Sequence, residues 1–166
     1  MVNREKQILE IIKEFYDNLP KFPDGRIDYS NSNIAPVVIV FIQYKKKLLL
    51  LKRSEKGLNY NGKWSVVAGF LDEVRSVQDK VIEEVQEEVG IQKDDILSIH
   101  IGKPYHFEDE EIGKTWVKCP VLIKLKSQIH PRLDWEHDEY RWIEEEELRE
   151  FDIVPSIEKS LDYALK

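Results

Sequence analysis

Residues 69–91, GFLDEVRSVQDKVIEEVQEEVGI, decide the fold because they encode a helix with two distinct faces. Ser76 with Asp79 three residues later is a variant of the capping box that begins helices, and Gly90 suits the left-handed position just past a helix end. Between them apolar residues recur at helical spacing. These residues are Val81, Ile82, Val85 and Val89. The stretch therefore predicts an amphipathic helix that begins after Ser76 and ends at Gly90.

Four glutamates, Glu83, Glu84, Glu87 and Glu88, lie within six residues at the C-terminal end of this helix. Negative charge there opposes the helix dipole, and like charges four residues apart repel, which together cost on the order of 2 kcal/mol. A divalent cation would reverse the sign of each contribution. Oxygen ligands on one helix face suit Mg²⁺, Mn²⁺ or Ca²⁺. The alternative is a solvated acidic face, which most charge runs form.

The spacing of the whole stretch resembles the Nudix box, Gly-x5-Glu-x7-Arg-Glu-U-x-Glu-Glu-x-Gly-U, in which U is aliphatic. An apolar run at residues 64–70 leads into the stretch, as a strand should. The resemblance implies an α/β fold, a Nudix-type αβα sandwich with a mixed β-sheet. The residues in register are Gly69, Glu84, Val85, Glu87, Glu88, Gly90 and Ile91.

Two positions depart from the box, because Arg75 stands where the family has Glu and Glu83 stands where it has Arg. In the family these two side chains pair and brace the loop against the helix. Both exchanges reverse charge, in opposite senses, so the resemblance predicts the same structural ion pair with its poles reversed. The alternative is independent drift after catalytic activity was lost.

The resemblance implies metal-dependent hydrolysis of a pyrophosphate bond in a nucleoside diphosphate linked to another moiety. That substrate is a nucleotide sugar, a dinucleotide or a nucleoside triphosphate, and the sequence does not choose among them. Glu84, Glu87 and Glu88 are the predicted catalytic residues and hold Mg²⁺ or Mn²⁺, with the carbonyl of Ala68 or Gly69 as a further ligand. The alternatives are a catalytically inactive Nudix-fold module that binds nucleotides or regulates, and an interaction protein with an acidic surface.

Candidate residues outside the box carry weaker signals. Lys52 and Arg53 end a predicted strand near the site, and Arg53 is the predicted substrate-binding residue; solvent-exposed strand-edge charges are the alternative. The acidic turn at 108–111 either supplies a general base or is merely solvated. His137 is open to a role as ligand or base, but we expect a surface or structural role. Four further side chains are candidates for stacking on a base or for the core: Tyr105, His106, Phe107 and Trp116.

Length and charge bound the remaining possibilities. The 166 residues fit one Nudix domain, with 1–33 as an N-terminal helix and loop extension and 34–166 as the core. A net charge of -7 argues against nucleic-acid polymers and anionic membranes as partners, but allows a small nucleotide. We expect a buried thiol at Cys119, a cytoplasmic location because no secretory segment opens the chain, and no membrane span. A homodimer is left open.

Hydrophobic periodicity predicts the other elements. Helices are predicted at 4–18, 144–150 and 155–165, and a long loop is predicted at 19–33. Strands are predicted at 36–44, 48–52, 64–70, 96–107, 115–125 and 140–143.

Overall fold

The computed structural model describes residues 3–166, which form three α-helices, eight strands and two short 3₁₀ helices. In chain order they are α1 (Arg4–Asn18), β1 (Ile34–Tyr44), β2 (Lys47–Arg53), β3 (Trp64–Ser65), β4 (Val67–Phe70), α2 (Val77–Val89), a 3₁₀ helix (Lys93–Asp95), β5 (Ile96–Ile101), β6 (Tyr105–Asp109), β7 (Lys114–Leu125), β8 (His137–Glu144), a 3₁₀ helix (Glu145–Glu150) and α3 (Ile157–Ala164).

The strands form one mixed sheet around β1. Strand β1 pairs in parallel with β7 and antiparallel with β2 and β4. Strands β5 and β6 both pair antiparallel with β7, while β3 and β8 pair antiparallel with β2.

Successive side chains of β1 point to opposite faces of the sheet. Val38 and Val40 pack in one core with residues of α1 and α2, whereas Val37 and Ile39 pack in a second core with residues of α3. The predicted αβα sandwich is confirmed.

Helix α2 has the predicted ends. The Ser76 hydroxyl accepts a hydrogen bond from the backbone N–H of Asp79 at 3.4 Å, and Gly90 adopts a left-handed φ of 75°. The Glu5 carboxylate of α1 accepts a further bond from the backbone N–H of Val77. The first N–H groups of a helix have no partner within that helix. The side chain of Glu5 supplies one for α2, and this hydrogen bond links α1 to the start of α2.

Several boundaries differ from the predictions for tertiary reasons. The strand predicted at 96–107 is two strands, because α3 packs against the backbone of Gly102 through Tyr163 and Ala164. The backbone N–H of Gly102 donates to the carbonyl of Pro120. The strand predicted at 64–70 divides because β3 pairs with β2 and β4 pairs with β1. Strand β8 begins at His137 instead of residue 140, since His137 pairs with Arg53.

The segment predicted as an N-terminal extension packs into the main core. Ile8 and Ile12 are fully buried in the same cluster as the apolar face of α2. The Tyr29 hydroxyl donates to the carbonyl of Leu71 at 2.6 Å, and Ile27 donates to the carbonyl of Asp72 at 2.7 Å. The extension therefore holds the loop that leads from β4 into α2.

Two expectations on burial and hydropathy have clear outcomes. Cys119 is fully buried, as predicted, and burial raises the pKa of its thiol to about 12. Among the described helices, none has the length and apolar character needed to cross a membrane.

Candidate active site

The segment between β7 and β8, residues 126–136, covers the C-terminal end of α2. Its backbone N–H groups at Arg132 and Asp134 donate to the carbonyls of Val89 and Glu88, at 3.0 and 3.3 Å. Carbonyls in the last turn of a helix lack partners within the helix, so this segment satisfies two of them. The same contact carries the start of β8 onto the acidic end of α2.

The three box glutamates differ in environment. Glu88 is 3% exposed, the Glu84 side chain is largely buried, and Glu87 is exposed. Burial raises the pKa of Glu88 well above its usual value, and the nearby Glu84 and Glu136 carboxylates add to this. Burial and the charges of Glu84 and Glu83 also raise the pKa of Glu87. Glu84 and Glu88 thus form a buried acidic pair, with Glu87 at its solvent edge.

Strand β4 approaches Glu84 closely at Gly69. A Cβ atom at Gly69 would lie 2.6 Å from Glu84 Cδ and 2.8 Å from each of its carboxylate oxygens. A side chain at residue 69 would displace the Glu84 carboxylate from this position. The first glycine of the box and its first helical glutamate are therefore adjacent in space, and the carbonyl of Ala68 or Gly69 stays a predicted ligand.

Lys80 is a site residue that sequence reasoning missed. Its buried Nζ lies 2.9 Å from Glu84 Oε1 and 3.8 Å from Asp72 Oδ1. Lys80 stands four residues before Glu84, which places both on one helix face, and this spacing is the sequence signal that could have identified it. The ion pair fixes the position of the Glu84 carboxylate.

Glu136 and His137 are the second addition to the site. The role expected for His137 is a surface or structural one, and a surface role is wrong, since His137 is 4% exposed. Its Nδ1 lies 3.9 Å from Glu88 Oε1 and 3.8 Å from Asp134 Oδ1, both beyond hydrogen-bond distance. Burial and the charge of Arg53 lower the pKa of His137 to about 4, so its ring is neutral at pH 7. The sequence singles out His137 but not Glu136, and because its pattern begins the strand at residue 140 it places neither beside Glu88.

The cluster fits a divalent cation. Carboxylates of Glu84, Glu88, Asp134 and Glu136 act on one another, and burial raises the pKa of Glu136 and of Asp134. Within the described chain, Glu88 Oε2 is buried without a hydrogen-bond donor. Buried carboxylates are costly unless a cation or donors compensate them, and oxygen ligands are what Mg²⁺ and Mn²⁺ take.

The two residues that depart from the box form an ion pair. Arg75 Nη1 lies 2.5 Å from Glu83 Oε2 and 3.6 Å from Glu73 Oε1. The pair joins the loop before α2 to the helix face next to Glu84 and Glu87.

Arg53 and Lys52 have different surroundings. Arg53 pairs in register with His137 across β2 and β8, and its Nε donates to the carbonyl of Asn59 at 2.8 Å. Lys52 forms an ion pair with Glu139 at 3.3 Å. Of the two, Arg53 is the one whose charge reaches the acidic site, where it acts to lower the pKa of His137 and of Glu136.

The remaining candidates have contacts of other kinds. In the turn at 108–111 the three glutamates are exposed, whereas Asp109 is buried and accepts hydrogen bonds from the Tyr60 hydroxyl at 2.6 and 2.7 Å. Tyr105 is buried, with its hydroxyl 2.5 Å from Ser160 Oγ. Trp116 packs beside Phe70 with ring centroids 5.8 Å apart. His106 is exposed, and Phe107 lies beneath Lys118.

Comparison with known proteins gives one family. The profile of the NUDIX domain matches residues 33–164. The nucleoside triphosphatase NudI of Klebsiella pneumoniae (strain 342) is 24% identical over 126 residues, which cover 70% of this chain and 86% of that protein.

Solved structures agree in fold. The MutT NUDIX hydrolase of Burkholderia pseudomallei has a TM-score of 0.65 at 21% identity, covering 78% of this chain and 97% of its own. A C. elegans Ap4A hydrolase, solved as a binary complex, has a TM-score of 0.63 at 22% identity, covering 78% and 93%. At these identities the likeness establishes the fold alone.

Proposed function

This chain belongs to the NUDIX domain family, and we propose that it hydrolyses a pyrophosphate bond in a nucleoside diphosphate linked to another moiety, with Mg²⁺ or Mn²⁺ held by its acidic cluster. The family match and the enzymes among its relatives support a pyrophosphohydrolase. The observation that carries the proposal is geometric: Glu84 and Glu88 lie one turn apart at the end of α2, and a carboxylate oxygen of Glu136 lies within 4.8 Å of one from Glu88. The substrate is a nucleotide sugar, a dinucleotide or a nucleoside triphosphate.

Glu84, Glu87 and Glu88 are the residues that would hold the ion. A bound divalent cation supplies neutralisation of the charge on the phosphate oxygens. Lys80 keeps the Glu84 carboxylate in place through its 2.9 Å ion pair, and close packing against Gly69 limits its movement. Because phosphoryl transfer depends on positioning and charge, this rigidity is what the reaction requires of the protein.

Arg53 is the proposed contact for the substrate phosphates. The bond from its Nε to Asn59 fixes the guanidinium at the end of β2, and its terminal nitrogens suit phosphate oxygens. Glu87 is the exposed carboxylate next to Glu84 and Glu88, and we assign it as the candidate that accepts a proton from the attacking water, since solvent reaches it.

The test is a panel of nucleotide sugars, dinucleotides and nucleoside triphosphates with Mg²⁺ or Mn²⁺, with released phosphate products as the readout. Replacing Glu87 with Gln should reduce turnover by about 100-fold or more, because it removes a charge that acts in the transition state. Glu14→Gln, an exposed change on α1, is the control and should keep full turnover. Wild-type turnover in Glu87→Gln would reject the site.

The alternative function is a catalytically inactive module that binds nucleotides. The observation behind this alternative is the reversal of charge at Arg75 and Glu83, two positions of the box. Such a module would bind a nucleotide in the same panel and leave it intact. The ion pair between these residues argues for a preserved brace and therefore for the enzyme. The cytoplasmic location and the homodimer stay predictions.

A further inference from the structure

We propose that Glu88, Glu136 and His137 form a metal site with a histidine nitrogen ligand, which binds divalent transition ions such as Co²⁺ or Zn²⁺ in preference to Mg²⁺. The inference rests on the proposed function in one respect, because Glu88 and Glu136 also belong to the acidic cluster of that proposal. Its new content is the nitrogen ligand and the ion preference that follows from it. Imidazole favours transition ions, whereas Mg²⁺ prefers oxygen ligands alone.

The distances among the three side chains suit ligands of a shared ion. One ligand atom from each of Glu88, Glu136 and His137 lies within 4.8 Å of the other two. The separation of 3.9 Å between His137 Nδ1 and Glu88 Oε1 is too long for a hydrogen bond. Two ligands that each lie about 2.0–2.2 Å from one ion are separated by roughly 3–4 Å.

The buried atoms around this gap lack partners. Among residues 3–166, both ring nitrogens of His137 and Glu88 Oε2 have no hydrogen bond, although the two residues are 4% and 3% exposed. Buried polar atoms in folded proteins are nearly always paired, so three such atoms at one place need an explanation. A bound ion would engage Glu88 and one ring nitrogen directly.

The surrounding backbone holds the ligands in place. Glu136 donates its backbone N–H to Asp134 Oδ1 at 3.0 Å, and Ser54 donates its backbone N–H to the carbonyl of Glu136 at 2.8 Å. His137 lies in register with Arg53 of β2. Glu88 lies at the end of α2, His137 lies on β8, and backbone hydrogen bonds hold Glu136. The ligands are therefore positioned before any ion binds, which favours specific binding.

The charges also match a doubly charged ion. Two carboxylate ligands balance it, and Asp134 Oδ1 stands 3.8 Å from His137 Nδ1 as a further acceptor. The alternative occupant is a cluster of ordered water molecules, which would satisfy the same atoms without ion selectivity. The two occupants differ in metal affinity.

The first test measures binding of Co²⁺ and Mg²⁺ alone to the full chain by calorimetry, without nucleotide. Wild type should bind Co²⁺ at least about tenfold more tightly than Mg²⁺. Replacing His137 with Gln should weaken Co²⁺ binding about tenfold or more and leave Mg²⁺ binding within about threefold. The control is His100→Gln, an exposed histidine on β5, which should change neither. Equal Co²⁺ affinity in wild type and His137→Gln, or no Co²⁺ preference, would overturn the site and favour water.

The second test does not require a His137 variant to fold. The chain has four histidines, and the three others, His100, His106 and His130, are exposed. A variant with these three replaced by Gln retains His137 alone, so any imidazole nitrogen coupled to bound Mn²⁺ in pulsed electron paramagnetic resonance must belong to it. We expect that coupling, and its absence would reject the nitrogen ligand. Since neither test measures turnover, a failed substrate panel with a retained nitrogen signal would reject only the hydrolase.

Discussion

At the residue scale, Lys118 shows what a buried charge costs this fold. It lies on β7 and is 6% exposed, with its Nζ donating to Ser156 Oγ and lying 4.7 Å from the centre of the Phe107 ring. Burial lowers the pKa of Lys118 to about 8, although the charge of Asp109 opposes this. The unfolded chain, with an ordinary lysine pKa near 10.5, binds more protons than the folded protein between pH 8 and 10.5. Lys118 therefore lowers stability most at and below pH 8.

Replacing Lys118 with Met should raise the free energy of unfolding at pH 7 by about 1–3 kcal/mol, because the charged amine no longer has to be buried. The gain should shrink as pH rises from 8 to 10.5, because over this range the wild-type amine is already neutral in the folded protein while it keeps its proton in the unfolded chain. Urea unfolding at several pH values measures this. Lys124→Met on the exposed side of β7 is the control and should show no such dependence. A variant with lower stability than wild type at pH 7 would contradict the cost assigned to this charge.

At the element scale, the Arg75–Glu83 pair connects the loop after β4 to α2. Arg75 and Glu83 are 29% and 38% exposed, so solvent screens part of their attraction. Glu73, which is not one of the defined positions of the box, lies 3.6 Å from the same Arg75 nitrogen. Arg75→Glu would therefore face two like charges, and it should destabilise the protein more than Glu83→Arg does.

A double-mutant cycle on Arg75→Glu and Glu83→Arg should give a coupling of about 0.5–1 kcal/mol in the free energy of unfolding. The doubly exchanged protein should also recover most of the turnover lost in the single variants, since the pair braces the helix that carries Glu84 and Glu87. The exposed Lys63–Asp152 pair is the control cycle, and it should show no coupling in turnover. Additive effects at Arg75 and Glu83 would reject the reversed pair and favour the inactive module.

At the scale of the whole molecule, α1 and the loop that follows it contribute side chains to the core, although the family profile begins at residue 33. Ile8 and Ile12 bury their side chains against the cluster that includes Val77 and Val81 of α2. Replacing one buried Ile by Ala costs about 2–5 kcal/mol, a large part of a typical domain's stability.

Removal of residues 1–32 should therefore leave a protein that aggregates or melts more than about 10 °C below the full chain, as measured by calorimetry. In the full chain, Ile8→Ala with Ile12→Ala should reproduce much of this loss. Lys13→Ala on the exposed side of α1 is the control and should melt like wild type. A truncated protein with the melting temperature of the full chain would show that the segment is dispensable.

The sequence by itself determined α2, the presence of strand structure before and after it, and the position of the box glutamates on the helix. The signals for these are local: a capping serine at Ser76, a glycine at Gly90 and apolar residues at a fixed spacing between them. The charge reversal at Arg75 and Glu83 was also readable from the sequence, because both residues fall at fixed positions of one motif.

Only the tertiary structure decided what surrounds the glutamates. His137 joins Glu88 because backbone donors at Arg132 and Asp134 satisfy the last carbonyls of α2, a pairing that no local pattern encodes. Gly102 ends β5 because α3 packs directly on it, and α3 comes from the far end of the chain. Short-range spacing fixes which helix or strand a residue joins, but the contacts that bury a charge or complete a site depend on segments that meet only on folding.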